Sequence, residues 1–322
     1  MVRIAVLGAG RHSSSNHGPS LKILKDTDPG GVELAAVCDL DEDRAGAYAK
    51  RFGFEKVYAS AEAMISAERL DGIVAVTPIP LTEPIVSWLL PTRIPLLMEK
   101  PPGRNSGETK RLLRVAERHA APHMISFNRR FSPAIAKARE WLSGQGAGRR
   151  VERVISRMLR HSRLEPDFVV GTGIHAVDTV VSLLGSPGHV SARTMESGVG
   201  GTQTYDARVV FRNGTIGTLI IAPAAGRVEE TYEILGADFC IQVDTQKSRL
   251  RIFDKGDLSL SWTAADDAYP AFLGGALAET GAFIDGIRRG SGFGPDLREG
   301  LASMLVSEAI QGGGEADLVH QV

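Results

Sequence analysis

The chain has 322 residues, 43% of them hydrophobic and 23% charged, with a formal net charge of −1. This is the composition of a globular protein that builds its core without staples, and its balance excludes the broad basic field of a nucleic-acid or anionic-membrane binder. No apolar run reaches the roughly 18 residues of a transmembrane helix. The opening MVRIAVLGAG reads as a strand rather than a cleavable signal, so a cytoplasmic protein is expected. Cys38 and Cys240 stand in apolar stretches and read as reduced core residues.

In chain order, strands are expected at 3–8, 32–39, 72–77, 95–100 and 123–128, with helices such as 41–52 and 106–120 among them. Alternation of this kind defines an α/β fold with a doubly wound parallel sheet covered on both faces. The first strand runs into GAGRHSSSNHG. Gly8 and Gly10 allow a sharp turn and close approach of backbone to a pyrophosphate. The third glycine of a dinucleotide fingerprint is missing, and Ser13 or Ser14 stands in its place. Whether Arg11 and Ser13 contact phosphate or belong to a plain loop stays open.

Asp39 ends the second strand, where a carboxylate accepts hydrogen bonds from both ribose hydroxyls and repels a 2′-phosphate. Leu40, Asp41 and Glu42 follow it with no adjacent arginine, so NAD is expected in preference to NADP. Thr77-Pro78, Lys100 and Asn128 fall at other carboxyl ends of strands, where ligands of doubly wound sheets bind. The stretch LLMEKPPG brings Glu99 and Lys100 to that rim, and Pro101 stops the strand behind them. An ammonium there can hydrogen-bond a substrate hydroxyl and favour its alkoxide as hydride leaves. A charged strand end with a proline turn is the plainer alternative.

Beyond residue 150 longer strands dominate to about 262. The segment 202–223 reads as two strands around Asn213-Gly214, a dipeptide suited to a tight hairpin turn. One helix, 173–185, interrupts and is closed by Gly185; further helices are expected at 272–289 and 297–311, and the ending GGGEADLVHQV looks poorly anchored. Alternation over 152–168 puts Arg153, Arg157, His161 and Arg163 on one face if the strand is regular. Arg157 and Arg163 are then candidate contacts for an acidic or polyhydroxylated substrate, or part of a solvated face. His119 and His123 have the spacing of metal ligands, but Pro122 breaks the helix between them and no third ligand stands near, so no metal is expected.

MEKPPG, the GAG loop, AVTP at 75–78, SFNRRFSP at 126–133 and GIHAVDTVVSLLG at 173–185 together resemble the glucose–fructose oxidoreductase and inositol dehydrogenase family, Gfo/Idh/MocA, over nearly the whole chain. The resemblance implies a Rossmann domain over 1–128. It implies a second α+β domain over 129–322, with an open-faced, mostly antiparallel sheet that often makes homodimer or homotetramer contacts. It also implies hydride transfer between NAD(H) or NADP(H) and a sugar, sugar acid or cyclitol. Lys100 would be the catalytic lysine, with a bond to Pro101 that is commonly cis. Glu99, Asn128 and Arg129 would join the cofactor-binding set. His175 would be the general acid/base, a role that suits an imidazole near neutral pH. The aspartate that commonly precedes this histidine by four residues is absent, because Gly171 stands there; Asp167 is a candidate replacement. Two alternatives remain: a glycoside hydrolase using transient oxidation by bound NAD, and a non-catalytic NAD/sugar sensor, which Gly171 favours slightly.

Overall fold

The computed structural model describes residues 1–265 and 269–321. The chain forms two compact units, Met1–Asn128 with Tyr269–Leu297, and Arg129–Ala268 with Arg298–Val322.

The first unit holds six parallel strands: β1 (Val2–Leu7), β2 (Val32–Cys38), β3 (Lys56–Tyr58), β4 (Gly72–Ala75), β5 (Leu96–Met98) and β6 (His123–Ile125). Their order, β3-β2-β1-β4-β5-β6, reverses direction at β1 and is that of a Rossmann fold. Every residue of β2 is buried, as in a strand covered on both faces. The helix Glu42–Phe52 starts where the Asp41 carboxylate accepts the Arg44 N–H, and ends at Gly53 in the left-handed conformation.

Residues 269–297 pack with this first unit, which corrects the expectation that the whole of 129–322 forms the second domain. The reason lies in the helix Ala276–Arg289. Its Phe283 is fully buried, and its Ile287 lies so close that a Cβ on Gly72 of β4 would stand 2.6 Å away. Glu279 on the same helix accepts a hydrogen bond from the Ser126 hydroxyl at 2.7 Å.

In the second unit nine strands form one sheet, in the order β14-β13-β12-β11-β7-β10-β9-β8-β15. They are β7 (Val151–Leu159), β8 (Pro187–Glu196), β9 (Gln203–Phe211), β10 (Ile216–Ala222), β11 (Glu229–Gly236), β12 (Phe239–Asp244), β13 (Arg249–Asp254), β14 (Asp257–Thr263) and β15 (Gly314–Asp317). All neighbours are antiparallel except β7 and β10. The helix Ile174–Leu184 covers one face: a Cβ on Gly217 of β10 would come within 2.8 Å of its Val180. The opposite face is half-exposed, and Cys240 lies there rather than in the core; Cys38 is buried, and burial pushes its thiol up to about 11. The chain end is also better held than expected. β15 pairs with β8, and Leu318 is buried and donates its N–H to the Gly188 carbonyl, while Val322 lies outside the described residues.

Candidate active site

At the carboxyl ends of β1, β2 and β4 a cavity of about 460 Å³ is lined by Gly8, Gly10, Asp39, Arg44, Thr77, Pro78 and others. Gly8 has φ +101°, and a Cβ there would stand 2.1 Å from the Val76 carbonyl oxygen, so only glycine fits. Of the other loop candidates, Arg11 is exposed at the start of the short helix Arg11–Ser15. Ser13 is not a phosphate contact here: it is fully buried, and its hydroxyl bonds the Tyr48 hydroxyl at 2.8 Å. The serine fills the place of the missing third glycine by packing against the helix Glu42–Phe52.

Asp39 is held from four directions. Its Oδ2 accepts the Ala9 N–H at 2.7 Å and Arg44 Nε at 3.2 Å; its Oδ1 accepts the Asp41 N–H at 3.1 Å and Arg44 Nη2 at 2.6 Å. Burial works to raise its pKa, but these bonds, Arg44 foremost, outweigh it and hold the carboxyl below its ordinary value. Arg44 is five residues on and was invisible as a neighbour in sequence; one turn of helix folds it back.

Lys100 lies two residues past β5, partly exposed, and its bond to Pro101 is cis. Glu99 beside it is buried. Its Oε1 accepts from His12 Nε2 at 2.9 Å and His17 Nε2 at 2.7 Å, and its Oε2 accepts the Lys100 N–H at 3.1 Å. Burial opposes the charge, yet the two histidines hold Glu99 well below the usual carboxylate range. The structure therefore places Glu99 as an anchor for the backbone of Lys100. His12 and His17 were missed in sequence, although HSSSNH contains both.

Histidines and a carboxylate in this cluster lie close enough to share a cation. The donor chemistry favours hydrogen bonding instead. His17 is buried and its Nδ1 has no partner among the described residues. Its Nε2 lies 2.7 Å from Glu99 Oε1, within hydrogen-bond distance of the carboxylate. His123 is likewise engaged at both nitrogens: Nδ1 donates to the Ala121 carbonyl and Nε2 accepts the Leu297 N–H.

In the second unit His175 sits, buried, in the first turn of Ile174–Leu184. A π turn, Val169–Gly173, runs directly into this helix, an irregularity frequent at functional sites. Gly171 lies within the π turn, and its N–H donates to the Asp167 carbonyl at 2.7 Å. Asp167 is exposed, and the acceptor is its backbone carbonyl. Asp178 turns to a different task. Fully buried, it accepts two bonds from Arg130 at 2.7 Å and one from Ser303 at 2.9 Å. Asn128 opens the 3-10 turn Asn128–Phe131 and is partly exposed. Arg129 follows it, and its Nε donates to the buried Glu230 at 2.9 Å, which also receives Arg160 and the Tyr232 hydroxyl.

The expected basic face forms only in part: Arg153 and Arg157 share the half-exposed face of β7, and His161 and Arg163 lie beyond the strand. β7 ends at Leu159, and Ser162 takes φ +51°, which breaks the alternation before Arg163. Arg157 points to the half-exposed face, away from the helix that carries His175, because its neighbours Ser156 and Met158 fill the covered face. It pairs with Glu229 at 3.4 Å. Arg163 reaches Thr172 of the π turn at 3.0 Å and pairs with Glu165. Of the two, only Arg163 stays near the His175 helix.

The strand order and the first unit's rim are those of a dinucleotide-binding Rossmann domain. The sequence model of the oxidoreductase family described as having an NAD-binding Rossmann fold, GFO_IDH_MocA, matches residues 2–127. D-apiose dehydrogenase of Paraburkholderia graminis is 26% identical over 77% of this chain and 66% of its own length. Inositol 2-dehydrogenase of Rubrobacter xylanophilus is 25% identical over 87% and 82%. The fold is shared with an oxidoreductase from Agrobacterium radiobacter solved with NAD+, L-tartaric acid and magnesium: TM-score 0.84, 18% identity, 100% of this chain and 99% of that one. The matched family model is described as NAD-binding, and Gly8, Gly10 and Asp39 stand where a Rossmann fold holds a dinucleotide's pyrophosphate and ribose. No helix among the described residues is long and apolar enough to cross a membrane.

Proposed function

We propose that the protein transfers a hydride between the nicotinamide of NAD and a hydroxyl-bearing carbon of a sugar, sugar acid or cyclitol. The observation that carries this reading is Lys100, set two residues past β5 and anchored through its own N–H to the buried Glu99. Bound NAD supplies the hydride acceptor. Gly8 and Gly10 give the pyrophosphate a close backbone approach, and Asp39 takes the adenosine ribose. Lys100 hydrogen-bonds the substrate oxygen and favours its alkoxide as the hydride leaves. His175 holds and moves the hydroxyl proton. Asn128 and Arg129 serve the nicotinamide end, with Arg129 steadied by Glu230. The curated relatives named as dehydrogenases of apiose and inositol support the substrate class.

A panel of sugars, sugar acids and cyclitols offered with NAD, and followed by the absorbance of NADH, tests the reading. Turnover with at least one class is expected; none with any of them would leave a sensing role as the better account. Gly171, in place of the family aspartate, is the observation that favours that second reading. We also assign the half-exposed face of the second unit's sheet as the surface through which copies associate into a dimer or tetramer. Sedimentation of a monomer at micromolar concentration would remove that assignment.

A further inference from the structure

Asp39 has no acceptor position left. An ionised carboxylate offers about four lone-pair sites. Here all are taken: by the N–H groups of Ala9 and Asp41 and by two nitrogens of Arg44. A ribose diol that bonds Asp39 must therefore displace a donor. Ala9 and Asp41 donate from the backbone. Arg44 is the donor able to leave: its side chain is 48% exposed, and it lies on the cavity wall. Its third contact, Nη1 to Asp41 at 3.0 Å, keeps it at the rim after it lets go. Among the described lining residues Arg44 is the only basic one, against the carboxylates of Asp39 and Glu62.

We propose that Arg44 is a cofactor-selectivity residue with opposite effects on the two dinucleotides: it competes with the ribose diol of NAD(H) for Asp39, and it pairs with the 2′-phosphate of NADP(H). This rests on the reading of Asp39 as the ribose acid. With NADP(H), the displaced guanidinium meets a phosphate beside the ribose and forms charge-assisted bonds with it. With NAD(H) it finds no such partner, and its earlier pairing is a cost of binding. The carboxylates still favour NAD(H), so Arg44 is what keeps NADP(H) within reach.

Fluorescence titrations of NADH and NADPH with the full chain test this. Arg44→Ala is expected to tighten NADH roughly 2–5-fold, the worth of an exposed ion pair, and to weaken NADPH roughly 10–100-fold, the worth of hydrogen bonds to a charged group. Arg44→Lys keeps a cation and is expected to retain most NADPH binding; a lysine variant as weak as the alanine one would overturn the charge argument. Shifts of both cofactors in one direction, or of neither, would overturn the proposal. Asp39→Ala separates the two levels. If it weakens NADH while Arg44→Ala does nothing, Arg44 alone is misassigned. If Asp39→Ala leaves NADH unchanged, the ribose does not bind there, and both readings fall.

Discussion

In the first unit, Gly8 and Asp39 stand one residue beyond a strand, and Thr77 and Lys100 stand two beyond. In the second unit, Arg129, Arg130, Asp178 and Glu230 come from a 3-10 turn, a helix and the start of β11, and meet in buried ion pairs. A parallel sheet brings every carboxyl end to one rim, so order along the chain already implies proximity. An antiparallel sheet alternates its ends, and its polar groups converge only where tertiary packing brings them. The first arrangement gathers side chains along one rim; the second ties Arg129 to Glu230 and Arg130 to Asp178, the latter on the helix that bears His175.

This contrast breaks first at the rim. Lys100→Met is expected to abolish turnover of whichever substrate is found, while NADH binding by fluorescence stays within about 3-fold, since the lysine serves substrate oxygen and not the phosphates. Activity like that of the unmodified protein would end the proposed role. On the scaffold side, His175→Ala is expected to lower the rate roughly 10²–10⁴-fold, the range of a general acid/base. An unchanged rate would make His175 a structural histidine.

The buried pairs are tested through stability. Arg130→Ala leaves the Asp178 carboxylate buried without its main partner, at a cost of about 3–5 kcal/mol. Urea unfolding should show it, and a loss under about 1 kcal/mol would mean water or Ser303 suffices. Glu230 adds a pH dependence. Burial alone would raise its pKa, but Arg129 and Arg160 hold it below the ordinary value. An unfolded glutamate titrates near about 4.3. A native pKa below that gives stability that is complete above about pH 4.3 and is lost as pH falls through the native value. Glu230→Gln should therefore flatten the acid limb of a stability–pH curve, whereas parallel acid limbs would show that Glu230 does not titrate in that window.

What could be read in sequence follows the same division. Strand ends, the glycine turn and the Glu-Lys-Pro stretch are local signals, and the parallel topology turns them into a site. Arg44 escaped because its proximity to Asp39 requires a helical turn, and His12 and His17 because their target, Glu99, lies more than 80 residues on. Arg157 misled because period-two alternation tells two faces apart without saying which is covered. The return of 269–297 to the first unit was equally hidden, since a helical pattern does not name the sheet it packs against.

The smallest effect is expected at Gly171, and it bears most directly on whether the second unit is a catalyst's scaffold or a sensor's. In relatives an aspartate four residues ahead is well placed to orient the histidine. Here the π turn changes what that spacing means, because an extra residue per turn shifts the side chain that shares a face with His175. A carboxylate installed at Gly171 enters a turn whose backbone already bonds Asp167, and its direction differs from that in a regular helix. Gly171→Asp is therefore expected to change the rate by less than about 3-fold, or to lower it by crowding the substrate, well below the worth of a general acid/base. The measurement is kcat and KM on the panel of sugars and cyclitols. A large gain on common sugars would mean that the glycine had disabled an ordinary dehydrogenase, and the sensing account would then describe the protein better.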